Sequence, residues 1–194
     1  TIVGETGQST DIVVTANDRG KQSAVCRVKV AAEAPMYVGF PFSDKWAYSS
    51  NLGTKEGDLK NLFDDKNSTF WCPDIQTRPI YDPVCYLDLD LGEVIKFGQL
   101  GYRHRSLNYS HLQCHTFKVE AKKDAGDSWT DLGEQVTEAK KVDDYQLFEV
   151  APTEARYIRI TFIKGHLRDG QTDWNYSETG NVSVGDLQVF IYNR

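Results

Sequence analysis

The chain has 194 residues, enough for one well-cored domain with something small attached. Lys plus Arg number 22 against 28 Asp plus Glu, a formal net charge of −6, and this argues against a nucleic-acid partner because phosphate binding needs a basic face. No polybasic patch offers itself to a membrane surface, and no apolar run reaches the length of a membrane helix.

The first elements are two short strands, residues 11–17 and 24–30, each carrying a β-branched run. Asn17-Asp18-Arg19-Gly20 between them supplies hairpin turn chemistry. Thr1 opens no signal peptide, so the chain is expected to be a trimmed part of a longer protein. Ala31 to Pro35 reads as a linker. From residue 36 onward, strand follows strand. Residues 56–63 allow one or two helical turns, and helix is otherwise scarce. Tyr86-Leu87-Asp88-Leu89-Asp90-Leu91-Gly92 alternates in strict period two, a half-buried strand with a Gly stop. Further strands are read at 97–102, 116–121, 146–150, 157–163 and 184–192, with a hairpin turn at 124–127. Nine Phe, ten Tyr and four Trp suit such a chain, and Trp71 and Trp129 read as core anchors. The fold class is all-β, a sandwich.

The four cysteines, Cys26, Cys72, Cys85 and Cys114, form no C-x-x-C pair, which leaves zinc and thioredoxin-like readings without support. Cys72 and Cys85 flank a Pro-containing loop, so either they close a short disulfide or all four are small buried thiols. No G-x-S-x-G, H-E-x-x-H or phosphate-cradling Gly-rich loop occurs, and catalysis is not expected of this chain.

An ordered series of motifs resembles the discoidin, or coagulation factor 5/8 type C, domain. It runs from Trp46-Ala47-Tyr48-Ser49-Ser50-Asn51 through Thr69-Phe70-Trp71, Leu89 to Gly92, Tyr102-Arg103-His104-Arg105 and Phe117 to Glu120. It continues through Asp124 to Trp129 and Arg156 to Arg159, and ends at Asp186 to Phe190. The resemblance covers roughly 36–194 and implies a jelly-roll β-sandwich of the galactose-binding-like type. Within that group the chain is most similar to family-32 carbohydrate-binding modules. Residues 1–34 resemble the C-terminal hairpin of a truncated immunoglobulin-like domain plus linker, followed by the discoidin-like domain at 35–194. The layout is similar to that of multidomain surface proteins that handle glycans, which implies an extracellular or outer-cell-surface setting.

The same resemblance implies a structural calcium ion. Asn61 to Trp71 packs carboxylates, amides and a hydroxyl into a turn, and a hard cation takes six to eight such oxygens. Carried over by position, carbonyls come from Asn61 and Lys66, a carboxylate from Asp64, and both a carbonyl and a hydroxyl from Thr69. Asp186 is the closing acid, with the Gly185 carbonyl beside it. Two departures stand out. Asp65 occupies a place where the family has Gly, and Asp186 is shorter than the usual Glu.

A glycan is the implied partner, held by loops at one end of the sandwich. Arg105 matches the family position whose guanidinium grips ring hydroxyls, and a five-donor fork suits that task. His104, Asn108 and Tyr109 share its loop, and the long loop from Gly165 to Val182 adds His166, Trp174 and Tyr176. Trp174 is the stacking candidate. Many sugar-binding relatives carry His directly after the loop tryptophan, where this chain has Cys72, and this counts against galactose in particular. The competing reading is a protein-docking or spacer domain that binds no sugar. Phospholipid binding ranks last, since the loops are polar. Sequons at Asn67, Asn108, Asn175 and Asn181 would matter only in a eukaryotic secretory chain.

Overall fold

The structure, a computed structural model, describes residues 9–15, 23–29, 37–74, 84–106, 112–167, 170 and 182–193. The chain divides into two compact units, Thr1–Pro35 and Met36–Arg194. In the first, β1 (Ser9–Thr15) and β2 (Ser23–Lys29) pair antiparallel, with Ser9 opposite Lys29 and Thr15 opposite Ser23. Both strands begin one or two residues earlier than the sequence pattern indicates. The turn residues 17–20 and the linker Ala31 to Pro35 lie outside the described residues.

The second unit contains β3 (Tyr37–Phe40), β4 (Ala47–Ser50), β5 (Thr54–Gly57), a 3-10 turn (Leu59–Phe63) and β6 (Trp71–Pro73). It continues with β7 (Cys85–His104), β8 (Cys114–Lys122), β9 (Thr130–Val136), β10 (Gln146–Gly165) and β11 (Val184–Tyr192). Strand order is β5-β6-β11-β7-β10-β8-β9, with β3 added to β11 and β4 to β7. Every pairing is antiparallel.

Two long strands serve both layers of this sandwich. The first part of β7, near Leu87–Asp90, pairs with β4 and with the late part of β10. Its later part, Phe97 to His104, pairs with β11 and, from Gln99 to Tyr102, also with the early part of β10. Register breaks in β10 between Glu149 and Thr153 and between Ala155 and Tyr157 mark the bend, as bulges do. On β7 the bend falls at Gly92, which takes φ 79° and whose N–H donates to Asp90 Oδ1 at 2.9 Å. A Cβ there would sit 2.9 Å from the Lys45 carbonyl oxygen, so only glycine fits.

Period two decides which side chains fill the space between layers. Leu87, Leu89 and Leu91 of β7 meet Phe117 and Val119 of β8 and Ile158, Ile160 and Phe162 of β10, all buried. Each such side chain contributes roughly 1.5–3 kcal/mol. The alternate residues face outward, where Asp88 takes a two-pronged grip from Arg159 (2.6 and 2.7 Å) and Asp90 one from Arg156 (2.7 and 2.9 Å). Trp71 is fully buried, as expected of an anchor. Trp129 is not. It lies half-buried on the outer face, with the Arg159 guanidinium 4.5 Å and the Lys122 ammonium 4.9 Å from its ring centroid. It precedes edge strand β9, most of whose residues are exposed, and its indole packs on cations instead of in the core.

Cys72, Cys85 and Cys114 are free, buried thiols, so the short Cys72–Cys85 disulfide does not form. Burial raises the pKa of all three, that of Cys85 to about 12, which keeps them protonated and unreactive.

Candidate functional site

The acidic loop begins where Asp58 caps the 3-10 turn, its Oδ1 accepting from Lys60 N–H at 3.0 Å. The turn ends at Asp64, and Asp65 then takes φ 53°. Asp occupies this left-handed region more readily than most residues. The reversal folds the loop back on itself. Asp64 Oδ1 accepts from Lys66 N–H at 3.0 Å and from the Thr69 hydroxyl at 2.8 Å, and that hydroxyl lies 3.0 Å from the Lys66 carbonyl oxygen. A carboxylate, a hydroxyl and a carbonyl thus converge on one point. Asn61 helps close the loop by donating its side-chain amide to the Phe70 carbonyl at 3.0 Å.

This half of the expected calcium set fits a hard cation in its chemistry. Asp186, the expected closing acid, has other partners. Asp186 is 1% exposed, and its Oδ2 sits 3.2 Å from Nη2 of Arg103, its register partner across β7 and β11. The Tyr145 hydroxyl and the Leu187 N–H also reach its carboxylate. Burial pushes its pKa up to about 6, against the pull of Tyr145 and Arg103. The carboxylate therefore has its partners in β7 and in Tyr145 instead of in the Asp64–Lys66–Thr69 cluster. Gly185 is needed for close approach, since a Cβ there would meet the His104 carbonyl oxygen at 2.4 Å. Among the described residues, no three His, Cys, Asp or Glu side chains gather as metal ligands, so a cation in the loop would rest on Asp64 and uncharged oxygens.

On the expected ligand face, strand parity separates neighbours. Tyr102 and His104 point into the core, whereas Arg103 and Arg105 point away from it. His104 is therefore an interior residue, 1% exposed, with Nε2 3.1 Å from the Glu138 carbonyl and its ring edge-on to Tyr102 and His166. It does not face an external ligand. His166 is likewise buried, its Nε2 2.9 Å from the Thr137 hydroxyl. Burial lowers both imidazoles to a pKa of about 4.

Arg105 is half-buried just past the end of β7. Its guanidinium lies 3.4 Å from the Phe70 ring centroid and donates two parallel bonds to Glu56, each 3.0 Å. Hydrogen bonding from Arg105 holds the Glu56 carboxyl below its usual range. Beside this pair opens a cavity of about 320 Å³ lined by Asn67, Ser68, Phe70, Arg105 and Ser106. Glu56, Asn67, Ser68 and Phe70 escaped the sequence reading of the ligand face. Glu56 is 49 residues from Arg105 and carries no motif, and the other three belong to a loop whose functional reading was a metal site. Asn108, Tyr109, Trp174 and Tyr176 lie outside the described residues.

The F5/8 type C domain family matches residues 45–183. The chain belongs to this family. No curated protein sequence is matched. Several solved structures resemble this F5/8 type C domain closely in shape. One is the family 32 carbohydrate-binding module of Clostridium perfringens NanJ in complex with galactose, 16% identical with a TM-score of 0.60 over 80% of this chain and 99% of that one. A second is a module of the same family from a Clostridium perfringens family 89 enzyme, in complex with GalNAc-β-1,3-galactose. It is 17% identical with a TM-score of 0.55, over 75% of this chain and 94% of that one. A third is an F5/8 type C domain from Bacteroides fragilis, 13% identical with a TM-score of 0.62 over 81% of this chain and 98% of that one. At such identities the likeness speaks for the fold, a β-sandwich like that of family 32 modules.

Proposed function

We propose that residues 36–194 form a non-catalytic carbohydrate-binding module, with Arg105 at the centre of its sugar site. The observation that carries this reading is the Arg105 fork, laid on Phe70 and clamped by Glu56 at the mouth of the loop cavity. A pyranose offers vicinal hydroxyls, which accept from a planar guanidinium and donate to a carboxylate held beside it. Asn67, Ser68 and Ser106 add neutral donors and acceptors around that pair. The Phe70 face toward Arg105 is taken, so the stacking surface is assigned to Trp174 or Tyr176. Galactose and N-acetylgalactosamine, present in the neighbours described above, are the first sugars to try. A module of this kind belongs to a protein that meets polysaccharide outside the cell or at its outer surface.

The test is titration calorimetry against galactose, N-acetylgalactosamine and oligosaccharides that bind on a glycan array. Arg105→Ala is expected to weaken binding at least about tenfold while melting stays near that of the parent. Undiminished binding by the variant would remove Arg105 from the site. Capture of a protein with no binding on the array would favour a docking domain.

The loop is assigned a calcium ion held by Asp64, the carbonyls of Asn61, Lys66 and Thr69, and the Thr69 hydroxyl. When bound, the ion supplies a rigid loop and no chemistry. Chelator is expected to lower the melting temperature by roughly 5–10 °C relative to free calcium at about a hundred times its Kd. Asp64→Ala should erase that difference, and melting indifferent to chelator in the parent would refute the assignment.

A further inference from the structure

We infer that the acidic loop is fastened to the closing strand by Arg103, whose guanidinium spans Asp65 in the loop and Asp186 in β11. The family resemblance implies a metal shared between the loop and Asp186 for this task. The geometry gives it to a side chain. Arg103 is 5% exposed and projects from β7 between the two carboxylates, with Nη2 3.2 Å from Asp186 Oδ2 and Nη1 3.6 Å from Asp65 Oδ1. Tyr145 closes the group from the other side. Its ring centroid lies 4.6 Å from the guanidinium carbon, and its hydroxyl donates to Asp65 Oδ1 at 2.9 Å and reaches Asp186 as well. Four residues from four chain segments thus meet around one fixed positive charge.

The departures from the family pattern become parts of one arrangement. Asp65, at φ 53°, supplies a carboxylate where glycine has none. Among the described residues, Arg103 is the cation that compensates the buried Asp186 carboxylate. Removing the guanidinium leaves two carboxylates facing each other, one of them nearly inaccessible to water, which is among the costlier defects a core edge can carry. The clamp holds the start of the loop whose far end, Asn67 to Phe70, floors the cavity beside Arg105. The inference does not rest on the sugar reading, since clamp and ligand are tested by separate measurements.

The experiment is thermal melting of the parent, Arg103→Met, Asp186→Asn and the double variant, each with calcium and with excess chelator. Arg103→Met is expected to lower the melting temperature by roughly 10 °C, by the same amount in both conditions. The double variant should regain at least about half of that loss, because an amide at position 186 carries no charge to strand. Arg103→Lys keeps the charge but not the fork, and serves if the Met variant does not fold. It is expected to melt between the two and to speed amide hydrogen exchange selectively at residues 64–70. An Arg103→Met loss that vanishes in chelator, or melting within about 2 °C of the parent, would overturn the clamp. So would a double variant no more stable than Arg103→Met, or unchanged exchange at 64–70 in Arg103→Lys.

Discussion

Trp71→Ala is expected to lower the unfolding free energy by about 3–5 kcal/mol. Trp71 is 0% exposed, at the head of β6 where it pairs with Gly57 on one side and Val184 on the other. Its ring packs near Phe162, and its Nε1–H donates to the Thr54 hydroxyl at 3.0 Å. Truncation empties a space that two sheet layers cannot close by shifting, because both are tied by backbone pairing on either side of it. Chemical denaturation of Trp71→Ala, Trp71→Phe and Trp129→Ala checks this. Trp71→Phe should lose less than half as much as Trp71→Ala. Trp129→Ala should lose only about 1 kcal/mol, the worth of its stacked cations on a half-buried face. If Trp129→Ala proves as costly as Trp71→Ala, the assignment of core and outer face is wrong.

Acid should destabilise the domain well before its surface carboxylates protonate. His104 and His166 are held neutral by burial, with pKa near 4 against an ordinary 6.5. Between those values the unfolded chain binds protons that the folded one refuses, so their contribution is complete above pH 6.5 and is lost as pH falls toward 4. Each imidazole withholds on the order of 3 kcal/mol across that window. His115 adds a smaller push of the same sign, since burial and Lys164 lower its pKa too. Asp186 works in the opposite direction, as its raised pKa of about 6 favours the folded state most at low pH. Two buried imidazoles outweigh one carboxyl, so the melting temperature should fall steadily from pH 6.5 to 4. His104→Gln and His166→Asn, each compared with itself across the same range, should show shallower slopes. A parent melting temperature flat over that interval would rule out buried neutral imidazoles.

Much of the fold was legible because strands facing a core write their geometry in alternation. Leu87, Leu89 and Leu91 inward with Asp88 and Asp90 outward is the observed burial of β7, residue for residue. The loop from Asn61 to Thr69 was legible for a different reason. The bonds around Asp64 run between residues two to five apart, so local sequence carries that turn, while Phe70, Tyr145 and Arg103 tie it down from further away. The same alternation misleads at His104, because the pattern ends the strand at Tyr102 whereas β7 runs two residues further and carries that imidazole inside.

Residue order alone determined the all-β class and the faces of the alternating strands, both consequences of period two. Partner choice across the sheets was decided only by the folded chain. Asp186 takes Arg103 from 83 residues away, and Glu56 takes Arg105 from 49. Such pairs depend on strand register, which no local pattern encodes. That is why the Arg103 contacts to Asp186 and Asp65 could not be read from motif order.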